Sequence, residues 1–281
     1  MGERMGCISI NKTVQNASFI RQFVALSGRY AEIIKSDRKR VWLLVAQPIV
    51  IALLVYFVVP THGLFMSFGV TQLVMFAMVC SCIFMGLFNS IQEVCNERAI
   101  IKREYLVNLK LCAYVASKMA IQFIVATIQG ITFVMVCHIA FGLESFLAII
   151  AVAIMTIFAT SSFGLLISSI VKSSVKAMLI TPFILMIQLL FAGVLFLMEG
   201  IGRLISLTTI SHWATRLLGI IARVNTMPDA RILMGMGLDP MYNHNRANLL
   251  QSIGILLAIP VICGIASALV LRRLKNDTRA D

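Results

Sequence analysis

The stretch SFLAIIAVAIMTIFATSSFGLLISSIV, residues 145–171, runs without one Asp, Glu, Lys, Arg or His. At about 1.5 Å per residue, a helix of this length exceeds a hydrocarbon core of about 30 Å. A helix on a soluble core keeps one wet face, and this stretch offers none. Its polar side chains are hydroxyls. Thr160, Gly164 and Ser168, each one turn from the next, form a small-residue seam for close helix packing. Lipid on one side and a neighbouring helix along the seam account for the whole pattern.

Working outward, five more apolar blocks obey the same rule: about Val41 to Val59, Leu64 to Ile91, Ala113 to Ala140, Ala177 to Met198 and Leu249 to Leu271. Across all six, the only Asp, Glu, Lys or Arg is Lys118, near one end of its block. Composition agrees: 59% of residues are hydrophobic and 13% charged, whereas a soluble domain carries about 25% charged residues. The expected fold is all-α, a polytopic membrane protein of six transmembrane helices.

The formal charge of +12 does not indicate nucleic acid, because the basic residues flank apolar blocks instead of sharing a wet face with aromatics. Of 24 Lys and Arg, 19 fall before residue 41, from 98 to 118, at 172 and 176, or from 272 onward. The other five, Arg203, Arg216, Arg223, Arg231 and Arg246, share one segment. Inner loops concentrate positive charge and short outer loops lack it. The chain therefore reads N-in and C-in, multi-pass, in the inner (cytoplasmic) membrane. Cys7, Cys80, Cys82, Cys95, Cys112, Cys137 and Cys263 then lie in membrane or cytoplasmic segments, where no disulfide framework or metal site is expected.

Residues 1–40 are expected to form a cytoplasmic tail and an amphipathic connecting helix, 41–271 the six-helix transmembrane domain, and 272–281 a second cytoplasmic tail. Residues 1–16 are polar and mixed, so the first span must direct insertion. From Phe19 the sequence FIRQFVALSGRYAEIIKSDRKR sets Phe19, Phe23, Tyr30 and Ile34 near one face and Arg21, Arg29, Glu32 and Lys35 elsewhere. Its closing run, Arg38, Lys39 and Arg40, belongs at the cytoplasmic headgroups. Pro48 frees the carbonyl of Leu44 in the first span, and the adjacent Gln47 needs a polar partner. Pro60 to Gly63 and Phe141 to Glu144 read as tight outer turns. The outer segment 199–247 is moderately apolar over 200–222 yet carries Arg203, His212 and Arg216, which suits a re-entrant pair of short helices.

Spans without ionisable midplane groups lack what a coupled carrier uses to bind its ion, so uphill transport must draw energy from elsewhere. The chain has no G-x-x-x-x-G-K-[ST] phosphate loop, no G-x-S-x-G elbow and no H-E-x-x-H, and His62, His138, His212 and His244 are scattered. No enzymatic site, bound cofactor or metal is expected. The amides Gln47, Gln72, Asn89, Gln122, Gln129 and Gln188 are expected to bond neighbouring helices. Gln72, Gln188 and Phe191 are also candidates to line a translocation cavity. Two competing readings are an ion-coupled secondary transporter or channel, which requires a coupling ion, and a non-transporting membrane scaffold, which requires no ATPase.

Glu93 to Lys118, EVCNERAIIKREYLVNLKLCAYVASK, is the most distinctive segment. As a helix it places Ile101, Tyr105 and Leu109 one turn apart for docking and leaves Glu97, Arg98, Lys102 and Arg103 to make ion pairs. The pair Glu97-Arg98, four residues before Arg103-Glu104, with Tyr114 and Lys118 beyond, resembles the coupling-helix region of ABC type-2 exporter permeases, here 92–112. It is especially similar to the G, or White pigment-transporter, subfamily. The SDRKR run, Pro182 with Phe191-Ala192-Gly193, and LTTISHWA at 207–214 resemble that subfamily's connecting helix, last-but-one helix and re-entrant pair.

The resemblance implies a membrane domain that forms a homodimer or heterodimer around a central cavity, lined chiefly by the second and fifth spans. It further implies an ABC ATPase partner that binds the ATP and Mg, with Glu97, Arg98, Arg103 and Glu104 as the joint between the two and Tyr114 and Lys118 as its connector. A hydrophobic or amphiphilic substrate would then be exported by alternating access. The G subfamily carries its ATPase ahead of the connecting helix on one chain, so here the ATPase is expected on a separate subunit or lost from a longer chain. Residues 199–247 contain none of the cysteines that tie this loop in eukaryotic members, which points to a bacterial member.

Overall fold

The computed structural model describes residues 18–59, 65, 67–106, 108–143, 145–196, 200–227 and 240–272. Both tails beyond these limits, the expected turn at Pro60 to Gly63, Glu144 and residues 228–239 lie outside the described residues. Among the described residues every regular element is helical. In chain order these are α1 (Phe19–Ser36), α2 (Arg38–Val58), α3 (Phe68–Ser90), α4 (Glu93–Leu106), α5 (Leu111–Phe141) and α6 (Phe146–Ile170). They are followed by α7 (Ser174–Leu190), α8 (Gly200–Ser206), α9 (Ile210–Ile221) and α10 (Arg246–Arg272).

Among the described residues, five segments are long and apolar enough to cross a membrane: α2, α3 running on into α4, α5, α6 and α10. The bent pair α8 and α9, turned by 83°, makes a sixth if counted as one broken span. The expected fifth span, Ala177 to Met198, needs correcting in extent. Its helix, α7, has 17 residues and stops at Leu190, a length of about 25 Å. The chain turns at Phe191, and Gly193 takes φ +82°, a left-handed conformation that glycine adopts without a Cβ clash. A second boundary also differs. The basic run Arg38, Lys39, Arg40 opens α2 instead of closing α1, because Asp37 breaks the helix and its carboxylate accepts the Arg40 N–H at 3.2 Å.

The uncharged stretch around α6 is the hub of the bundle, packed by α3, α5, α9 and α10. Half of α6 is buried inside the chain, against 17% of α2, so α6 is central and α2 peripheral. The small-residue seam faces α3: a Cβ on Gly164 would run into Ser90 Oγ, and one on Gly86 would meet Thr160 Cβ at 2.8 Å. Backbones this close gain dispersion contacts that lipid cannot supply.

Most of the amides pair across the bundle, as burial favours; Gln122, expected to bond a neighbouring helix, is instead buried with neither amide atom hydrogen-bonded among the described residues. Gln129 on α5 donates to the Leu44 carbonyl at 3.1 Å and to Gln47 Oε1 at 3.4 Å, while Asn89 on α3 donates to Gln129 Oε1 at 2.6 Å. One side chain thus satisfies both the carbonyl freed by Pro48 and the neighbouring amide.

Candidate functional site

The connector helix α4 docks by its apolar side. Ile101 and Val94 are fully buried with Tyr114 and Val115 of α5, Leu165 of α6 and Leu271 of α10, and Tyr105 and Leu109 pack beside them. Its N-terminal end is pinned to the end of α6. There Ser168 Oγ accepts the N–H groups of Val94 at 3.0 Å and Cys95 at 3.1 Å. These are orphan donors of the first turn, so the last residue of the α6 seam caps a helix 74 positions earlier in the chain.

Beneath α4 lies a buried ion cluster drawn from four helices. Lys118 Nζ reaches Glu93 Oε2 at 3.0 Å and Glu97 Oε1 at 2.6 Å, and the Tyr114 hydroxyl donates to Glu97 Oε2 at 2.7 Å. The ammonium also sits 3.4 Å from the centre of the Tyr30 ring, on α1. Arg40 of α2 pairs with Glu93 and donates to the Tyr30 hydroxyl at 3.3 Å. The Lys118 side chain is 3% exposed and that of Glu93 5%. Ions this deep are tolerable only when paired and hydrogen-bonded, and two cations facing two carboxylates meet that condition. Burial pushes the Tyr30 phenol well above its ordinary pKa, so it stays neutral and available as both ring and acceptor.

The residues singled out from sequence fare differently. Glu97, Tyr114 and Lys118 are brought together in this cluster. Arg98 donates to the Val171 carbonyl at the end of α6, at 3.2 Å, and Glu104 pairs with Arg29 on α1 through both guanidinium nitrogens, one at 3.3 Å. That hydrogen bond raises the Arg29 pKa further. Of the four, Arg103 is exposed, and among the described residues its Nε reaches the Ala99 carbonyl of its own helix at 3.4 Å. The sequence neighbours Glu97-Arg98 and Arg103-Glu104 are therefore not pairs. Glu97 and Arg98 each have a partner within the chain.

The sequence did not place Glu93, Arg40, Tyr30 or Arg29 with the connector: Arg40 was expected at the headgroups and Tyr30 on the apolar face of the connecting helix, and both turn to the cluster. The signal that finds Glu93 is Lys118 itself. A lone Lys in an apolar block demands a carboxylate, and Glu93 lies one turn from Glu97 on the same helix face.

The cavity candidates sit elsewhere, at the far end of the bundle. Gln72 donates to the buried Tyr242 hydroxyl at 3.0 Å. Gln188, itself buried, accepts the Ser211 N–H at 3.0 Å in the first turn of α9, and the Phe191 carbonyl accepts from Thr209 at 3.3 Å. Trp213 Nε1 donates to the Leu207 carbonyl at 2.7 Å, closing the bend between α8 and α9. Among the described residues, no three His, Cys, Asp or Glu side chains gather as metal ligands would.

These features define a class: a multi-pass helical membrane protein with uncharged spans and a charged, buttressed connector at one end. Residues 21–237 match the family model for the ABC-2 type transporter. The chain belongs to the ABC-2 type transporter family, whose membrane domains are the permease components of ABC transporters and pair with an ABC ATPase. No curated protein matched the chain.

Proposed function

We propose that this chain is the permease subunit of an ATP-driven exporter of the G type, moving a hydrophobic or amphiphilic substrate by alternating access. ATP and Mg belong to the partner ATPase, and two membrane domains, alike or different, enclose the path. The chain lies N-in and C-in in the inner membrane, with 92–112 as the coupling region and 199–247 as the outer re-entrant segment.

The observation that carries this reading is the ion cluster under α4. A force on the connector cannot move α4 alone, because Glu93 and Glu97 tie it to Lys118 and Tyr114 of α5 and to Arg40 of α2, with Tyr30 of α1 against the same ammonium. Glu104 adds a second link to α1 through Arg29. In this mechanism Glu97, Arg98 and Glu104 are braces within the permease, and Arg103 is the residue offered to the ATPase. Arg103 flanks an open groove of about 480 Å³ between α1 and α4, walled by Leu26 and Leu109. An acidic, partly apolar ridge on the ATPase would fit there.

The test is Arg103→Glu in the assembled transporter. Co-purification of the ATPase subunit is expected to fall tenfold or more, with thermal stability of the permease unchanged. Undiminished co-purification would overturn docking at this helix.

A further inference from the structure

A second groove, of about 740 Å³, opens on the membrane face of the bundle between α2 and α3. Trp42, Val50 and Leu54 wall it on one side and Phe84 on the other, and Gln47 sits among them. α2 begins at Arg38 and, as a 21-residue span, matches a hydrocarbon core of about 30 Å. Gln47 therefore lies about 14 Å in from Arg38, near the midplane. The charged side chain that lines the groove, Lys39, is about 12 Å away along the helix, toward the bilayer surface. At mid-depth the polar group of the groove is the Gln47 amide.

The hydrogen-bond network behind it fixes which end of that amide is free. The Leu44 carbonyl can only accept, so the Gln129 atom 3.1 Å from it is Nε2. The same nitrogen lies 3.4 Å from Gln47, which must therefore turn its Oε1 toward α5. Asn89 closes the network by donating to Gln129 Oε1 at 2.6 Å. The NH2 group of Gln47 is left without an acceptor among the described residues. Unlike the amide of Gln122, it is open to the surface. The groove thus offers a hydrogen-bond donor at mid-depth, with the one oxygen beside it committed to Gln129.

A donor at that depth decides what fits. Lipid tails carry no acceptor there, and the ester carbonyls of a phospholipid stay at the edge of the hydrocarbon core. A charged molecule would find no counter-charge. A neutral apolar molecule with a carbonyl has no donor for its oxygen in lipid, so pairing with Gln47 satisfies two groups that are otherwise unpaired. Across the groove Phe84 is 38% exposed and held against Phe88 with ring centres 4.3 Å apart, which presents an aromatic face for stacking.

We infer that this groove is a binding site for a neutral aromatic molecule with a carbonyl acceptor, its oxygen at Gln47 Nε2 and its rings against Phe84. Gln129 and Asn89 are positioning residues, since they hold the Gln47 amide with its donor outward. That such a molecule is a substrate rests on the export function proposed above, whereas the binding itself does not.

Photolabelling of the intact purified chain with benzophenone tests the site, using fluorenone and fluorene as competitors that share one ring skeleton and differ by the carbonyl. Label is expected on α2 near Gln47 and on α3 near Phe84, and fluorenone should suppress it at concentrations about tenfold below those needed for fluorene. Gln47→Met, of equal length but without an N–H, should bring that ratio close to one. Each competitor partitions into detergent alike for both chains, so the change in ratio reports the amide alone. Val50→Trp, at a position 52% exposed, fills the groove and should abolish the label with the amide intact. Equal competition on the unsubstituted chain, or an unchanged ratio in Gln47→Met, would overturn the proposal. No label, with Leu54→Cys cross-linking two copies, would assign the groove to a second copy of this chain and overturn it equally. Carbonyl-selective labelling without ATP-dependent efflux of fluorenone by the assembled transporter would uphold the site and overturn its role in export.

Discussion

The two ends of the bundle solve the same problem with different chemistry. At the connector end, α4 is held by ions: Lys118 and Glu93 are buried at the centre, and Arg40 and Glu97, half-buried, close the cluster around them. At the re-entrant end, α8 and α9 are held by neutral groups: Gln188 on the Ser211 N–H, Gln72 on Tyr242, Thr209 on the Phe191 carbonyl and Trp213 on the Leu207 carbonyl. A neutral hydrogen bond exchanged for another costs little, whereas a buried ion that loses its partner costs several kcal/mol. The connector end is thus suited to transmit displacement as one body, and the re-entrant end to rearrange bond by bond. Under the proposed function a permease driven by a separate ATPase needs both properties, stiffness where force enters and compliance where a gate opens.

The largest effect should come from breaking the ion cluster. Lys118→Met leaves two buried carboxylates facing the single cation Arg40, and a loss of about 3–5 kcal/mol in stability is expected, read as thermal unfolding in detergent. Adding Glu97→Gln restores one acid to one base and should recover most of that loss. A single variant as stable as the parent would remove the contrast between the two ends.

Breaking the neutral end should cost less. Gln188→Leu deprives the Ser211 N–H of its acceptor in the first turn of α9, and the expected loss is about 1–3 kcal/mol in the same assay. A cost equal to that of Lys118→Met would mean that the re-entrant pair is as rigid as the connector.

The smallest effect sharpens the comparison within the connector end itself. The Arg29–Glu104 pair also joins α1 to α4, but the Arg29 side chain is 46% exposed, so water and salt screen it. Arg29→Gln is expected to cost about 0–1 kcal/mol, and the difference should vanish in high salt. A salt-independent loss would place this pair with the buried ions.

The candidate site was only partly legible in the sequence. The motif Glu97-Arg98 to Arg103-Glu104, with Tyr114 and Lys118, contains three members of the cluster. Successive residues on a helix point about 100° apart, so adjacent acids and bases rarely meet: Glu97 and Glu104 pair with residues of α5 and α1, Arg98 reaches the carbonyl that ends α6, and Arg103 faces outward. Gln188 and Gln72 show the same limit. Polarity in a span announces that a partner exists without saying whether it is a cavity, a substrate or the N-terminus of a helix 23 residues further on.

What the sequence determined by itself is what depends on local pattern: helices throughout, their approximate limits, and spans empty of charge apart from Lys118. Each follows from hydrophobicity summed over one turn after another, because lipid demands apolar side chains and satisfied backbones at every level. Only the tertiary structure decided the rest. It ended α7 at Leu190, made Ser168 the cap of α4, and set Arg40 of the first span and Tyr30 of the connecting helix around the ammonium of Lys118. The last two outcomes join residues from 73 to 88 positions apart, and at such separations only the packing of the bundle decides which groups share a space too dry to leave an ion unpaired.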